Sequence, residues 1–289
     1  MTIRRVLRLL PVVPSILLLL LFLVAPVAWS FYASFTNASL TGKAAQDPQW
    51  VGADNYARMF SDDSFPLSAW LTVVFVAASA VLGQNVLGLL IALLMTRSRK
   101  VVSSVVGTAV VAAWVLPEIV AAFAAYAYFN REGTLNQLAG IVGVDGVDWL
   151  YSFPLVAIIL ANTWRGTAFS MLVYRAALAD VPRDISEAAL MDGARGWQRL
   201  TFITLPLIRS SITTNLMLIT LQTLAVFTLI WVMTAGGPAN TSTTLPVLAY
   251  QEAFKFGDIG YGTAVASVLI LLGMVFGALY VRLLRERRP

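Results

Sequence analysis

Six long apolar stretches, separated by shorter polar segments, dominate the hydrophobic pattern of the chain. They cover about residues 11–33, 69–95, 104–128, 154–175, 211–235 and 261–284. A helix needs about 20 mostly apolar residues to cross a membrane. Only α-helices and closed barrels satisfy their backbone in lipid, and these runs are too continuous for barrel strands. The pattern predicts an all-α polytopic membrane protein with six transmembrane helices, all in one domain of residues 1–289.

Composition agrees with this prediction and removes several kinds of chemistry. Hydrophobic residues make up 58% of the chain and charged residues only 12%, whereas soluble domains average about 25% charged residues. The sequence has no cysteine and no histidine. Disulfides, thiolate metal sites and the commonest general base are therefore excluded, and no metal site or catalytic residue is expected.

The basic residues predict the orientation of the spans. The predicted outer segments carry only Lys43, Arg58, Arg131 and Lys255, while most of the 20 Lys and Arg fall on the opposite side. Because inner loops of membrane proteins are enriched in Lys and Arg, both termini are expected in the cytoplasm. The same bias explains the sequence pI near 9.7, so no nucleic-acid partner is expected.

The longest predicted cytoplasmic loop, residues 176–210, has the pattern of two short helices with a break between them. Pro182 suits a first helical turn, and Asp184 and Glu187 have the spacing of a capping box. Gly193 is expected to end this helix in a left-handed conformation. The spacing alone also fits an amphipathic helix lying on the membrane surface. That alternative does not require a glycine break.

A second amphipathic piece follows the glycine break. Trp197, Leu200 and Ile203 share its apolar face and are expected to point inward. Pro206 is expected to break the chain before the fifth span.

The loop resembles the EAA loop of the membrane subunits of ATP-binding-cassette importers. The residues that carry the resemblance are Glu187, Ala188, Ala189, Asp192, Gly193, Ala194, Ile203, Leu205 and Pro206. Leu200 and Ser210 depart from the usual pattern, which has phenylalanine and often proline there. The resemblance implies that these motif residues form coupling helices that dock on a separate ATPase.

Other segments resemble the binding-protein-dependent sugar permeases, in the branch of the larger maltose-permease and glycerol-3-phosphate-permease subunits. They are Val51–Tyr56, Pro117, Gly133–Asn136 and Gly236–Pro238. This resemblance implies a heterodimer with a second permease, two ATPase subunits and an extracytoplasmic solute-binding protein. The chain has no G-x-x-x-x-G-K-[ST] motif. ATP and magnesium are therefore expected on the partner ATPase, and the chain is expected to be no enzyme.

Polar and aromatic residues inside the spans are candidates for the translocation path. They are Glu118, Tyr126, Asn162, Trp164, Arg165 and Gln222. Charge at membrane depth is costly, so Glu118 and Arg165 are expected to face a partner or a cavity. They could pair with each other, or one could line the path. The amides could equally connect helices to one another, and Gly83 and Gly88 favour close helix packing rather than a ligand.

The leading hypothesis is a permease subunit importing a sugar or sugar-like solute into the cell. One alternative is the same machinery importing glycerol-3-phosphate or a related phosphodiester or polyol. An alternative from another class is a non-transporting membrane assembly or sensor protein that docks a soluble partner. A secondary transporter is disfavoured because histidine is absent and carboxylates in the spans are scarce.

Overall fold

The computed structural model describes residues 12–285, in which all regular elements are helices apart from two isolated backbone bridges. The all-α prediction is confirmed for this range. The helices are α1 Val13–Ala33, α2 Lys43–Gln46, α3 Asp54–Ser61, α4 Ser64–Arg97, α5 Lys100–Val115, α6 Glu118–Phe129, α7 Thr134–Ile141, α8 Trp149–Ser152, α9 Pro154–Ala179, α10 Arg183–Met191, α11 Gly196–Leu207, α12 Arg209–Leu224, α13 Thr228–Thr234, α14 Leu245–Tyr250 (extended by the π turn Gln251–Lys255) and α15 Ile259–Arg285. The first residue of the predicted first span lies outside the described residues.

Four described helices are long and apolar enough to cross a membrane unaided. They are α1, α4, α9 and the Ile259–Leu283 part of α15. Two further candidates are bent pairs: α5 with Glu118–Ile141, at 106°, and α11 with α12, at 69°. The described residues therefore contain four candidate spans, or six when each bent pair counts as one.

The predicted third and fifth spans are not continuous helices, which corrects two expectations. α5 ends at Val115 and α6 begins at Glu118, because Pro117 forces Leu116 into an extended conformation with ψ 136°. In the region 211–235, α12 ends at Leu224 and α13 begins at Thr228. Neither proline nor glycine marks this second break.

The chain divides into two compact units. One comprises the residues up to Pro66 together with Leu248–Leu271, and the other comprises Leu67–Val247 with the residues from Leu272 onward.

In the second unit, α4 and α9 approach so closely that their contact has room only for glycine at three positions. A Cβ atom at Gly88 would lie 2.4 Å from the Cβ atom of Ser170, and one at Gly83 would lie 2.5 Å from Thr163 Oγ1. A Cβ atom at Gly166 would lie 2.2 Å from the Gln84 side chain. Small residues at such contacts let helix backbones pack against each other in lipid. The packing role expected for Gly83 and Gly88 is confirmed.

A buried polar seam connects the same helices and adds α12. The side-chain amide of Asn215 lies 3.0 Å from Ser170 Oγ and 3.1 Å from Tyr174 Oη, and all three residues are fully buried. The Tyr174 hydroxyl also donates to Asn85 of α4. Because lipid offers no hydrogen-bond partners, these contacts hold α4, α9 and α12 in one register.

In the first unit, the cation of Arg58 joins α3 to the segment before α15. Its Nη1 atom donates to Asp258 Oδ2 at 2.6 Å, and its Nη2 atom lies 3.8 Å from Glu252 Oε2. Asn55 fixes the preceding loop by donating to the carbonyl oxygens of Ser34 and Thr36. Burial raises the pKa of Glu252, and Arg58 only partly opposes this shift.

We expect Gly88→Ala to destabilise the protein by about 1–3 kcal/mol, because the new methyl group would overpack the α4–α9 contact. Gly273→Ala is the matched control, since a Cβ atom there meets no atom within 4 Å and alanine favours helix. The unfolding midpoints of both variants are measured by thermal unfolding in detergent. Equal midpoints for the two variants would contradict the packing role.

We expect the stability of Glu252→Gln relative to the native protein to depend on pH. The pKa of Glu252 is raised in the folded state. Its stabilising contribution is therefore present at low pH, where the carboxyl is protonated, and is lost as pH rises through the folded pKa. Glutamine avoids that loss, so the variant should gain on the native protein as pH rises from about 4, the ordinary pKa of glutamate, through the raised folded pKa. Thermal unfolding across this range is the measurement. Glu132→Gln, at an exposed glutamate, is the control. A difference in unfolding midpoint between Glu252→Gln and the native protein that does not change with pH would contradict the prediction.

Candidate functional site

α10 carries most of the EAA-like motif, and it begins differently from the prediction. Pro182 occupies the N-cap position with ψ 131°, and no side chain caps the helix there. The predicted capping box of Asp184 and Glu187 is therefore wrong, because proline has no side-chain acceptor to complete it. Asp184 instead lies in the first turn, where a carboxylate is stabilised by the helix dipole.

The end of α10 is built as the sequence predicts. Gly193 has φ +77°, its N–H donates to the Leu190 carbonyl at 3.0 Å, and the Ala194 N–H donates to the Ala189 carbonyl at 2.9 Å. This pair of bonds is the Schellman arrangement, which satisfies the last free carbonyls of a helix. α10 is thus a short helix with a fixed end.

The surface of α10 combines polar motif residues with exposed apolar ones. Glu187, Ala188 and Asp192 are exposed, whereas Ala189 is buried. Sequence reasoning missed the neighbouring Leu190 and Met191, which are 54% and 89% exposed. Their position inside the motif was visible, but their exposure depends on the rest of the fold. Two large apolar side chains are thus exposed next to the polar residues of the motif.

α11 differs from the prediction at its C-terminal end. At its start the Arg195 N–H donates to Gln198 Oε1 at 2.8 Å, a one-sided cap, because the arginine side chain has no acceptor to return the bond. Pro206 does not break the chain, because the wider π turn Leu200–Thr204 before it accommodates the ring. The bend comes at Ile208 instead.

The apolar face predicted for this piece is only partly covered. Trp197 is 72% exposed, contrary to the inward orientation expected, whereas Leu200 and Ile203 are half-buried. Leu205, the last motif residue before Pro206, packs against a core of buried residues that includes Tyr174 and Ile208. The end of the loop is therefore anchored to α9, while Trp197 near its tip is exposed.

The six candidate path residues do not come together in one site. Asn162 is buried, donates to Ser79 Oγ at 2.8 Å, and accepts from Gln84 through its carbonyl. It connects α9 to α4, as the helix-packing alternative anticipated. Gln222 is exposed on α12, and Trp164 lines an apolar cavity of about 610 Å³ with Tyr128 and Leu160.

Tyr126 lines a separate polar cavity of about 330 Å³, which we name the α6–α8 cavity. Its wall also includes Asn130, Arg131, Asp148, Tyr151 and Thr234. Two tyrosine rings beside amide, guanidinium and carboxylate groups form a lining that can stack on and hydrogen-bond to a polyhydroxylated molecule.

A tight loop closes one side of this cavity. Ala235, Gly236 and Gly237 all have positive φ, and the buried hydroxyl of Thr243 donates to the Gly236 carbonyl at 3.1 Å. A Cβ atom at Gly237 would lie 2.6 Å from Ser242 Oγ. The resemblance noted for Gly236–Pro238 thus falls on a strained, hydrogen-bonded turn.

A larger cavity of about 890 Å³, which we name the α4–α5 cavity, lies between the ends of α4 and α9 and the start of α5. Lys100 and Arg175 line it, with the hydroxyl residues Thr96, Ser98, Ser103, Ser104 and Thr108. Its remaining wall is apolar and includes Met95, Val111 and Leu172. No acidic residue of the described chain lines it.

Glu118 and Arg165 do not form an ion pair in this structure. No described carboxylate oxygen lies within 4.0 Å of the Arg165 guanidinium, whose Nε atom is buried without a hydrogen-bond partner. Glu118 is the first residue of α6, where the helix dipole stabilises its carboxylate. The pairing that the sequence allowed is therefore not observed.

Comparison with known proteins places these features in a family. The sulfoquinovosyl glycerol transport system permease SmoG of Agrobacterium fabrum is 34% identical, over 98% of this chain and 92% of its own length. The trehalose/maltose transport system permease MalF of Thermococcus litoralis is 33% identical, over 96% of this chain and 93% of its own.

Solved structures share the fold. A chain of the bacterial alginate ABC transporter, in complex with an alginate pentasaccharide-bound periplasmic protein, superposes with a TM-score of 0.81 at 21% identity, covering 98% of this chain and 95% of its own. Residues 84–289 match the family described as binding-protein-dependent transport system inner membrane component. With its apolar helices, the chain therefore belongs to this family of multi-pass ABC transporter permeases.

Proposed function

We propose that this chain is one membrane subunit of an ATP-driven importer for a sugar or a sugar-like solute. The observation that carries the proposal is similarity along nearly the whole chain to permeases named for sugars and glycosides. A subunit of this kind moves a solute and catalyses no reaction itself. Neither the SmoG nor the MalF permease is named for glycerol-3-phosphate, so the sugar hypothesis is preferred.

The proposed topology has one transmembrane domain, residues 1–289, with six spans and both termini in the cytoplasm. The two bent pairs supply the spans that single helices do not. The distribution of Lys and Arg supports the orientation. It puts α10 and α11 on the cytoplasmic side, where they can meet a soluble ATPase.

The proposed coupling element is α10 with its flanking turns. A helix ended by the Gly193 turn transmits a displacement, whereas a frayed segment would absorb it. Leu190 and Met191 present apolar surface that the described residues leave uncovered. Leu205 ties the far end of the loop to the core around Tyr174 and Ile208. Movement of a bound ATPase could thus reach α9 and α12.

The proposed assembly contains a second permease subunit, two ATP-binding-cassette ATPases and an extracytoplasmic binding protein. The alginate transporter was solved with such a periplasmic protein bound, and the matching family is described as binding-protein-dependent. ATP and magnesium would be held by the ATPases, because this chain has no phosphate-binding loop.

The proposed translocation path includes Tyr126, through the α6–α8 cavity, and Arg165 with the α4–α5 cavity. Asn162 and Gln84 are better explained as contacts between helices. Glu118, Trp164 and Gln222 remain path candidates on position alone.

The test of the function is to purify the tagged chain with its native partners and to reconstitute the complex in liposomes. We expect ATP hydrolysis and solute uptake to rise when the co-purifying binding protein is loaded with one of a panel of mono- and disaccharides. A complex that contains no ATPase would favour the sensor alternative. Uptake that is abolished by a protonophore but does not need ATP would favour a secondary transporter.

We expect Glu187→Ala and Gly193→Val to leave the protein inserted while reducing solute uptake per ATP hydrolysed by about tenfold or more. Valine resists the positive φ that ends α10, and loss of Glu187 removes an exposed motif charge. Gly193→Asn is the matched control, because asparagine tolerates this conformation. Uptake and ATPase rates are measured in the same liposomes. Normal coupling in a well-expressed double variant would contradict the role of α10.

A further inference from the structure

Arg165 is the feature of the spanning helices that packing does not explain. It is the twelfth of the 26 residues of α9, and its Nε atom is buried without a hydrogen-bond partner. No described carboxylate lies within 4.0 Å of it. A guanidinium at membrane depth is costly unless an anion or water accompanies it. Arg165 therefore has the properties of a group that meets an external anion.

The face of α9 that carries Arg165 continues into the α4–α5 cavity. Leu172 follows Arg165 by seven residues, about two helical turns or 10 Å, so the two side chains share one face. Leu172 and Arg175 both line the cavity. Gly107 of α5 leaves room for Arg175, whose Nη1 atom lies 3.6 Å from the position of a Cβ atom there. Arg165 and the basic cavity thus lie along the same face of α9.

This surface carries positive charge without compensation from the described residues. Lys100 and Arg175 line the cavity, five hydroxyl residues add hydrogen-bond donors, and no described acidic residue is present. The inner-side enrichment of cations explains Lys100 and Arg175 taken alone. It does not explain Arg165, which lies more than two turns deeper in the helix. A neutral sugar gains little from such an arrangement, whereas an anionic group gains charge-assisted hydrogen bonds.

We propose that the solute carried along this face is anionic, a sugar or glycoside bearing a carboxylate, sulfonate or phosphate group. This inference rests on the proposed import function and narrows its substrate class. Arg165 would contact the anionic group of the solute at mid-membrane, where its planar guanidinium suits paired oxygens. The anionic group would then bind in the α4–α5 cavity, to Lys100, Arg175 and the neighbouring hydroxyl groups. A counter-charge from the second permease subunit is the competing explanation for Arg165.

The experiment uses the reconstituted complex and matched sugars that differ only in charge: a neutral glucoside, its glucuronide, its 6-sulfonate and its 6-phosphate. Binding-protein-stimulated ATP hydrolysis and uptake are measured for each. We expect at least one anionic member to be transported about tenfold or more faster than the neutral glucoside, and the comparison among the three identifies the group. Preference for the neutral glucoside overturns the inference while leaving the import function intact. Failure of all sugars to stimulate hydrolysis overturns the function itself.

Variants of Arg165 test whether the residue contacts the solute. We expect Arg165→Gln to lower uptake of the anionic sugar about 10- to 100-fold, the loss of one hydrogen bond to a charged group, with Arg165→Lys intermediate. Arg99→Gln is the control, because Arg99 is exposed beside the α4–α5 cavity but does not line it. When the concentration of the anionic sugar is varied, the loss in Arg165→Gln should appear as a raised KM for transport. The unfolding midpoint of the variant should not change. Equal loss for neutral and anionic sugars, or rescue by removing a carboxylate from the second permease, would show that Arg165 is a structural cation.

Discussion

Lipid cannot satisfy a polar group, and this constraint shapes the spanning helices of the chain. Each polar side chain placed inside a span must find its partner within the protein or lie beside a cavity. In the second unit the partners are mostly found. Asn215 reaches Ser170 and Tyr174, and Asn162 reaches Ser79. The Asn162–Ser79 bond crosses the contact where glycine lets α4 approach α9 closely, at Gly88 and Gly166. Close packing and polar satisfaction are therefore one feature of the fold.

The same constraint explains where the helices deviate from regular geometry. α4 contains a long π stretch, Val76–Gln84, and two of its residues, Ser79 and Gln84, form hydrogen bonds with Asn162. A wider turn rotates the side chains that follow it, so the amide of Gln84 reaches the α9 backbone. The break at Pro117 begins α6 with a carboxylate at its free N–H groups. Departures from the ideal helix thus coincide with polar residues in the spans.

Much of this architecture was predictable from residues next to one another in the chain. Span positions follow from apolar length, and the end of α10 follows from Gly193, because both depend on local chemistry. The capping box at Asp184 and Glu187 was misplaced, since spacing does not identify which residue precedes the helix. The break after Leu224 has no local marker. The exposure of Trp197 and Met191 and the separation of Glu118 from Arg165 depend on tertiary placement, which spacing cannot supply.

The coupling loop and Arg165 have one property in common, although one is apolar and the other is charged. The loop has its backbone fully capped at Gly193 while its apolar side chains at Leu190 and Met191 remain uncovered. Arg165 sits among packed helices while its charge remains unpaired. In each case the surrounding backbone and helices have their hydrogen bonds and packing contacts, whereas the side chain itself has no partner among the described residues. Because folding alone gains nothing from leaving apolar surface exposed or a cation within a span unpaired, both sites are best understood as prepared for contacts outside this chain. One contact is with a protein surface, and the other is with the solute.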